Sequence, residues 1–292
     1  MKTTFCRVVT ADKLRLEGLL FEPDRKSNIA VLHIHGMAGN FYENIFLDSM
    51  ADEYTKAGYA LLSFNNRGHD YIADFQIVGS KENQKRIGDA FEKIEDCILD
   101  IEAWISFLKL KGYKIFVLQG HSLGAVKAVY YLSDRPKNPF SALILASPPD
   151  MLGLVRAEAE KSNFMRDLNE AKELVEKKQG NTWLKNKTWN WYYKSAQSYI
   201  DFFADGAKTD IFPILRNGDF NKLESIKIPI LVFYGGNDDA AVFFPEKDLE
   251  IIKKHIKNPK SKTLLIGTAP HSYFKHEKQA AKNVVNWLKE VL

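Results

Sequence analysis

Short runs of nearly continuous apolar residues recur along this chain, and amphipathic stretches separate them. A strand that is apolar on both faces must be buried on both faces, so these runs predict strands of a parallel sheet covered by helices. They lie at residues 29–36, 59–65, 115–120, 142–147, 228–235 and 262–267. An earlier run, at residues 15–23, predicts one strand of a hairpin.

The stretches between these runs carry apolar residues at helical spacing. The clearest is residues 89–111, where isoleucines and a leucine recur every three or four positions from Ile94 to Leu108. Strands that alternate with helices predict an α/β fold with a mostly parallel, doubly wound sheet. Further helices are predicted at residues 41–57, 123–133 and 279–292.

One long stretch interrupts this alternation. From residue 148 to residue 227, no run predicts a clear strand. Its first part is highly charged and helix-prone, and residues 183–203 are rich in tryptophan, tyrosine and phenylalanine. We therefore predict a core formed by residues 1–148 and 218–292, and a helical cap at residues 149–217 that lies over the carboxyl edge of the sheet.

The overall composition is that of an ordinary soluble globular protein. The 292 residues are 45% hydrophobic and 27% charged, and 41 basic and 37 acidic side chains are interspersed to give a net charge of +4. No basic stripe indicates nucleic acid binding, and no apolar run suits a membrane span or a signal peptide. Cys6 and Cys97 form no metal-ligand spacing or disulfide framework. We expect a cytoplasmic protein whose partners include neither nucleic acid nor membrane.

The run GHSLG, from Gly120 to Gly124, joins a predicted strand directly to a predicted helix. A serine between two glycines in that context is typical of a nucleophile elbow, in which a strained turn exposes the serine hydroxyl at the edge of a sheet. The glycines remove Cβ atoms that would collide with the neighbouring strand and helix. Ser122 is therefore the candidate nucleophile.

A serine nucleophile needs a histidine base, and the chain order of the elbow fold places that base after the serine. Only His255, His271 and His276 follow Ser122. His271 is favoured because it lies just beyond the last predicted strand, at the sheet edge where Ser122 should also lie. His276 and His255 remain less favoured alternatives, since both lie in charged helical surroundings.

The orienting acid should leave a strand end between the serine and the histidine. The run YGGNDD follows the strand at residues 228–235 and offers Asp238 and Asp239. Asp238 is favoured by its spacing from Gly235, and the other aspartate is then expected only to cap the turn. Asp150, one strand earlier, stays open as a further possibility.

Two backbone amides are candidates to bind the oxyanion of a tetrahedral intermediate. Leu123 follows the nucleophile at the start of a helix, and Met37 follows the turn at the end of the strand at residues 29–36. His35 is interpreted as a structural histidine that hydrogen-bonds this loop, and His33 and His121 are interpreted in the same way.

Two further groups of residues have both a structural and a functional interpretation. Arg67 and Gly68 are expected to form a structural turn, with a substrate role as the minor alternative. The aromatic residues of the predicted cap either pack the cap onto the core or line an apolar pocket for the substrate. The candidates for substrate binding among them are Trp183, Trp189 and Tyr192.

Together these motifs resemble the alpha/beta hydrolases. The resemblance is to the capped branch that includes serine aminopeptidase-like hydrolases, monoacylglycerol lipases and bacterial cinnamoyl or feruloyl esterases. The matching runs are HGMAG, NNRGHD, GHSLG, YGGNDD and APHS, which occur in the family's order and span residues 35–272. The resemblance implies a serine triad on this fold. NNRGHD departs from the family's usual D-x-R-G-x-G turn.

We expect a carboxylesterase that cleaves small to medium acyl or aromatic esters. Ser122 would attack the carbonyl, His271 would move the proton, and Asp238 would orient the imidazole. This chemistry uses no metal or cofactor, and its partner is a small-molecule ester. Thioesterase, amidase or aminopeptidase, and perhydrolase activities would use the same residues. A ligand-binding protein on a hydrolase scaffold is an alternative of another class.

Overall fold

The computed structural model describes residues 1–80, 84–157 and 160–292. Its strands are β1 (Lys2–Val9), β2 (Arg15–Glu22), β3 (Ile29–Ile34), β4 (Ala60–Phe64), β5 (Asp74–Gln76), β6 (Gln84–Arg86), β7 (Ile115–His121), β8 (Phe140–Ala146), β9 (Ile230–Gly235) and β10 (Lys262–Ile266). Of these, β2 to β4 and β7 to β10 coincide with the predicted apolar runs, whereas β1, β5 and β6 were not predicted.

Within the described residues, eight of these strands form one sheet in the order β1-β2-β4-β3-β7-β8-β9-β10. From β4 to β10 all neighbours are parallel, whereas β2 pairs antiparallel with both β1 and β4. The predicted parallel strands and the early hairpin strand are thus confirmed. β5 and β6 pair separately with each other.

Helices cover both faces of the sheet, as a doubly wound fold requires. Tyr54 of the first helix and Trp287 of the last belong to one apolar core, and Trp104 and Val129 belong to the core on the opposite face. The helices are α1 (Phe46–Lys56), α2 (Cys97–Leu110), α3 (Leu123–Asp134), α4 (Met151–Arg156), α5 (Lys161–Glu176), α6 (Ala196–Phe203), α7 (Asn221–Glu224), α8 (Pro245–Lys254) and α9 (Glu277–Val291).

The start of the helix predicted at residues 89–111 is wrong. α2 begins only at Cys97, and short 3₁₀ turns at Asp89–Phe91 and Ile94–Asp96 precede it. The reason lies in two buried acids, since Asp89 and Glu92 point inward to bind the buried ammonium groups of Lys194 and Lys127.

The segment between β8 and β9, which we call the insert (residues 147–229), contains α4 to α7. Its first predicted helical stretch, at residues 154–178, includes positions 158–159, which lie outside the described residues. The insert is tied to the 3₁₀ turns before α2, because Ser195 N–H donates to the Ala90 carbonyl at 2.8 Å and Lys194 Nζ donates to Asp89 at 2.7 Å. Among the described helices, none is both long and apolar enough to cross a bilayer.

Candidate active site

Ser122 lies in the tight turn between β7 and α3. Its φ of 55° and ψ of −126° fall in a region that residues other than glycine rarely adopt. A Cβ at Gly120 would come within 2.2 Å of the Gly124 carbonyl oxygen, and one at Gly124 within 2.1 Å of the Ile34 oxygen. The flanking glycines therefore permit the close crossing of strand and helix that holds the serine in its strained conformation.

The loop after β3 approaches the same serine. A Cβ built on Gly36 would lie 2.9 Å from the Ser122 Cβ, so only glycine lets this loop pass so close. Met37 follows Gly36, and Leu123 is the first residue of α3, whose N–H has no acceptor within the helix. Both residues line one pocket together with Ser122, as the oxyanion prediction requires.

His271 and Asp238 are joined by a hydrogen bond of 2.8 Å between His271 Nδ1 and Asp238 Oδ1. The aspartate is buried and the histidine is partly exposed. Burial acts to raise the pKa of Asp238, but the hydrogen bond and charge of His271, with the hydroxyl of Ser147, hold that pKa below its usual value. An ionised Asp238 thus orients the imidazole through its Nδ1–H, as in a serine triad.

Ser147 and Tyr273 support Asp238 and were not identified from the sequence. The Ser147 hydroxyl donates to Asp238 Oδ2, and it lies 2.5 Å from the Tyr273 hydroxyl. Ser147 itself has a φ of 51° at the end of β8. The sequence signal that could have pointed to Ser147 is its position at the end of a predicted strand. The surrounding residues, ASPP, form no motif that is typical of a residue supporting a catalytic acid.

His121 holds the backbone of His271. Burial lowers the pKa of His121 to about 3, with the charge of His271 as the next cause, so its imidazole is neutral. The neutral ring donates an Nε2–H hydrogen bond of 3.0 Å to the carbonyl oxygen of His271. The ring centroids of the two histidines are 4.7 Å apart. The structural role predicted for His121 is confirmed, and it acts directly on the candidate base.

The other predicted structural residues also have defined contacts. His35 Nδ1 donates to the Gly36 carbonyl oxygen at 2.8 Å, and its Nε2 accepts from the Asn66 N–H at 3.2 Å. The Arg67 guanidinium is buried and binds Asp100 at 2.7 Å. The structural interpretations of His35 and Arg67 are therefore confirmed.

The alternative acids differ in their surroundings. Asp150 is buried at the start of α4, where its carboxylate accepts the Gly153 N–H at 2.7 Å and the Leu215 N–H at 2.8 Å. These bonds give it a capping role. Asp239 is exposed and lines the pocket that contains Ser122.

The alternative histidines have partners elsewhere. His255 stacks on Phe220 at a centroid distance of 4.0 Å and its Nδ1 lies 2.7 Å from Glu224. His276 Nδ1 lies 3.1 Å from the side-chain oxygen of Gln279 in the first turn of α9. Neither histidine lines the pocket of Ser122 within the described residues.

Ser122 and His271 open into a pocket of about 580 Å³ with a largely apolar wall. Trp189 and Tyr192 line it, in agreement with the functional one of their two interpretations. The structure does not bring Trp183 there, because its ring packs instead against Phe91 and Tyr193, at centroid distances of 5.7 and 5.2 Å. The described lining residues are Met37, Ser122, Leu123, Pro149, Met151, Leu154, Trp189, Trp191, Tyr192, Asp239, Ala240, Pro270, His271 and Ser272.

One group of side chains in the described part of the chain has the spacing of a metal site. Asp238, Asp239 and His271 each offer a ligand atom, and these atoms lie within 4.8 Å of one another. A cation held by all of these side chains would compete with the hydrogen bond between His271 and Asp238. The arrangement suits an acid–base pair better than a metal centre.

Comparison with known proteins gives a family and several structural relatives. The family model described as alpha/beta hydrolase fold matches residues 29–277. Est1E from Butyrivibrio proteoclasticus, solved with ferulic acid bound, is 17% identical with a TM-score of 0.67, and the match covers 98% of this chain and 99% of that one. No curated protein matches the sequence.

Two further solved structures show the same fold. An esterase from Pyrococcus furiosus is 20% identical with a TM-score of 0.63, over 99% of this chain and 91% of that one. A soluble variant of monoglyceride lipase from Saccharomyces cerevisiae, in complex with a substrate analogue, is 20% identical with a TM-score of 0.66, over 97% of this chain and 94% of that one.

Proposed function

The chain belongs to the alpha/beta hydrolase family, and we propose that it is a serine hydrolase that cleaves carboxylic esters through an acyl-enzyme. The observation that supports this most is the hydrogen bond between His271 and Asp238 in the same site as Ser122. Each of these residues comes from a different loop, and the folded sheet brings the loops together at one edge.

In this proposal Ser122 Oγ attacks the ester carbonyl and transfers its proton to the free ring nitrogen of His271. Asp238 keeps the imidazole in the required tautomer and stabilises the imidazolium. The amides of Met37 and Leu123 bind the developing oxyanion. The imidazolium then protonates the leaving alcohol, and water, activated by the same histidine, releases the acid.

The insert supplies much of the pocket wall, and we propose that residues 149–217 act as a helical cap on a core of residues 1–148 and 218–292. Pro149, Leu154 and Trp189 come from the insert, whereas Ser122 and His271 come from the core. An apolar and aromatic wall suits a small to medium acyl chain or an aromatic acid. The ferulic acid bound to the bacterial relative is an acid of the latter kind.

The proposal is tested by replacing the nucleophile. Ser122→Ala should lower hydrolysis of p-nitrophenyl butyrate by about 10³-fold or more, because the residues of a triad act as a unit. Ser133→Ala is a matched control, since Ser133 lies near the end of the helix that follows Ser122 and its hydroxyl donates to the Tyr130 carbonyl. Initial rates measured with both purified variants check the prediction. Wild-type activity in Ser122→Ala would refute the proposed nucleophile.

A further inference from the structure

Asp239 gives the pocket a negative charge that the proposed reaction does not use. It follows Asp238 in sequence but is exposed, whereas Asp238 is buried against His271. An aspartate contributes a formal negative charge at pH 7. Within the described residues, no lysine or arginine pairs with Asp239, and the described pocket lining contains neither residue type.

The position of Asp239 relative to the base decides which part of a substrate it would meet. Its carboxylate offers an oxygen within 4.8 Å of a ring nitrogen of His271. In a serine hydrolase the histidine must reach the oxygen of the leaving alcohol in order to protonate it. Asp239 therefore lies close to the base, on the side of the pocket where the leaving alcohol would be protonated.

Aromatic side chains line the same pocket as this carboxylate. Trp189 and Tyr192 stand at an interplanar angle of 86° with their centroids 6.1 Å apart, and Trp191 is 68% exposed beside them. The faces of indole and phenol rings attract cations, and quaternary ammonium groups are bound in proteins by such aromatic surfaces. A pocket lined by both a carboxylate and aromatic rings is a suitable binding site for an organic cation.

A neutral alcohol group would suit this place less well. A neutral group that covered Asp239 would remove water from the carboxylate without supplying an opposite charge, and this desolvation would weaken binding. An ammonium group replaces the lost hydration with an ion pair, and its alkyl substituents remain compatible with the apolar wall.

We infer that the pocket selects esters of amino alcohols, with the cationic nitrogen close to the ester oxygen, and that Asp239 binds this cation. The inference rests on the proposed serine hydrolase function. It specifies the alcohol side of the substrate, which the triad alone leaves open. Asp239 is a specificity-determining residue in this account and has no part in the proton transfers.

The test compares two esters of the same shape that differ only in charge, butyrylcholine and 3,3-dimethylbutyl butyrate. With wild-type protein, kcat/KM should be about 10-fold higher for the choline ester, as expected of one partly exposed cation held by a carboxylate and aromatic rings. Asp239→Asn should reduce this ratio by at least about 3-fold, whatever happens to the absolute rates. Asp52→Asn, an exposed position on α1, controls for the change in net charge.

The outcomes separate the inference from the proposed function. A wild-type ratio near one, or a ratio that Asp239→Asn leaves unchanged, overturns the inference. Hydrolysis of p-nitrophenyl butyrate without hydrolysis of the choline ester also overturns it, while the hydrolase function stands. If the protein hydrolyses none of these esters, the proposed function itself fails, and the inference fails with it.

Discussion

Two adjacent aspartates of one turn have different surroundings and therefore different roles. The Asp238 carboxylate accepts hydrogen bonds from the imidazole of His271, the hydroxyl of Ser147 and, at 2.9 Å, the N–H of Ala240. Asp239 points into the pocket and is exposed to water. In the proposed mechanism, this one-residue difference in position separates the orienting acid from a group that can contact the substrate.

Replacing each of these aspartates by asparagine distinguishes the two roles. Asp238→Asn should lower kcat for p-nitrophenyl butyrate by about 10³-fold or more, because an amide hydrogen-bonds the wrong tautomer of His271. Asp239→Asn should lower it far less, since no hydrogen bond joins that side chain to the imidazole among the described residues. Steady-state kinetics of the two variants give the comparison. Equal losses would remove the assignment of Asp238 as the acid.

At the scale of elements, parallel strands explain how distant residues meet. Ser122 follows β7, Ser147 follows β8, Asp238 follows β9 and His271 follows β10. These strands are neighbours in the sheet and run in the same direction, so their carboxyl ends lie side by side. Each functional side chain needs only a short loop to reach the site.

The parallel strands could be predicted, and the candidate site residues could be chosen, because their signals are local. Continuous apolar runs mark buried strands, and the glycines of GHSLG mark the elbow. β1 was not predicted, because an edge strand that is mostly exposed has no continuous apolar run. The sequence also could not show that Asp89 turns inward to meet Lys194, more than a hundred positions away.

The direction of an aromatic side chain is equally hard to predict. Trp183 and Trp189 lie in the same aromatic segment, yet only Trp189 lines the described pocket. Trp183 packs against Phe91 from the turn before α2. Aromatic composition predicts that a pocket can form, whereas tertiary packing decides which rings line it.

At the scale of the whole molecule, buried histidines link stability to pH. Burial lowers the pKa of His33 and of His121 to about 3, and burial with the charge of Lys127 lowers the pKa of His35 well below its usual value. An unfolded histidine binds a proton below about pH 6.5. Between about pH 3 and 6.5 the unfolded chain therefore binds protons that these sites lack in the folded state, and each such site lowers stability as the pH falls.

The contribution of one histidine can be isolated by substitution. His33→Asn keeps an acceptor for Gln119, whose amide lies 2.9 Å from His33 Nδ1, but removes the titrating ring. Between pH 4 and 6 the free energy of unfolding should depend on pH less steeply in the variant, by about 1.4 kcal/mol per pH unit. Urea denaturation at several pH values measures both slopes. If the unfolding free energy plotted against pH has the same slope in both proteins, His33 does not gain a proton on unfolding.

The central claim is that one serine, Ser122, is the activated nucleophile of the folded protein. Covalent labelling with a fluorophosphonate, followed by peptide mapping by mass spectrometry, tests it most directly, because such probes react with a serine that a neighbouring base activates. We predict a single adduct on the peptide that contains Ser122, with no labelling of Ser122→Ala or of heat-denatured protein. An adduct on another serine, or no adduct on the folded wild-type protein, would contradict the account.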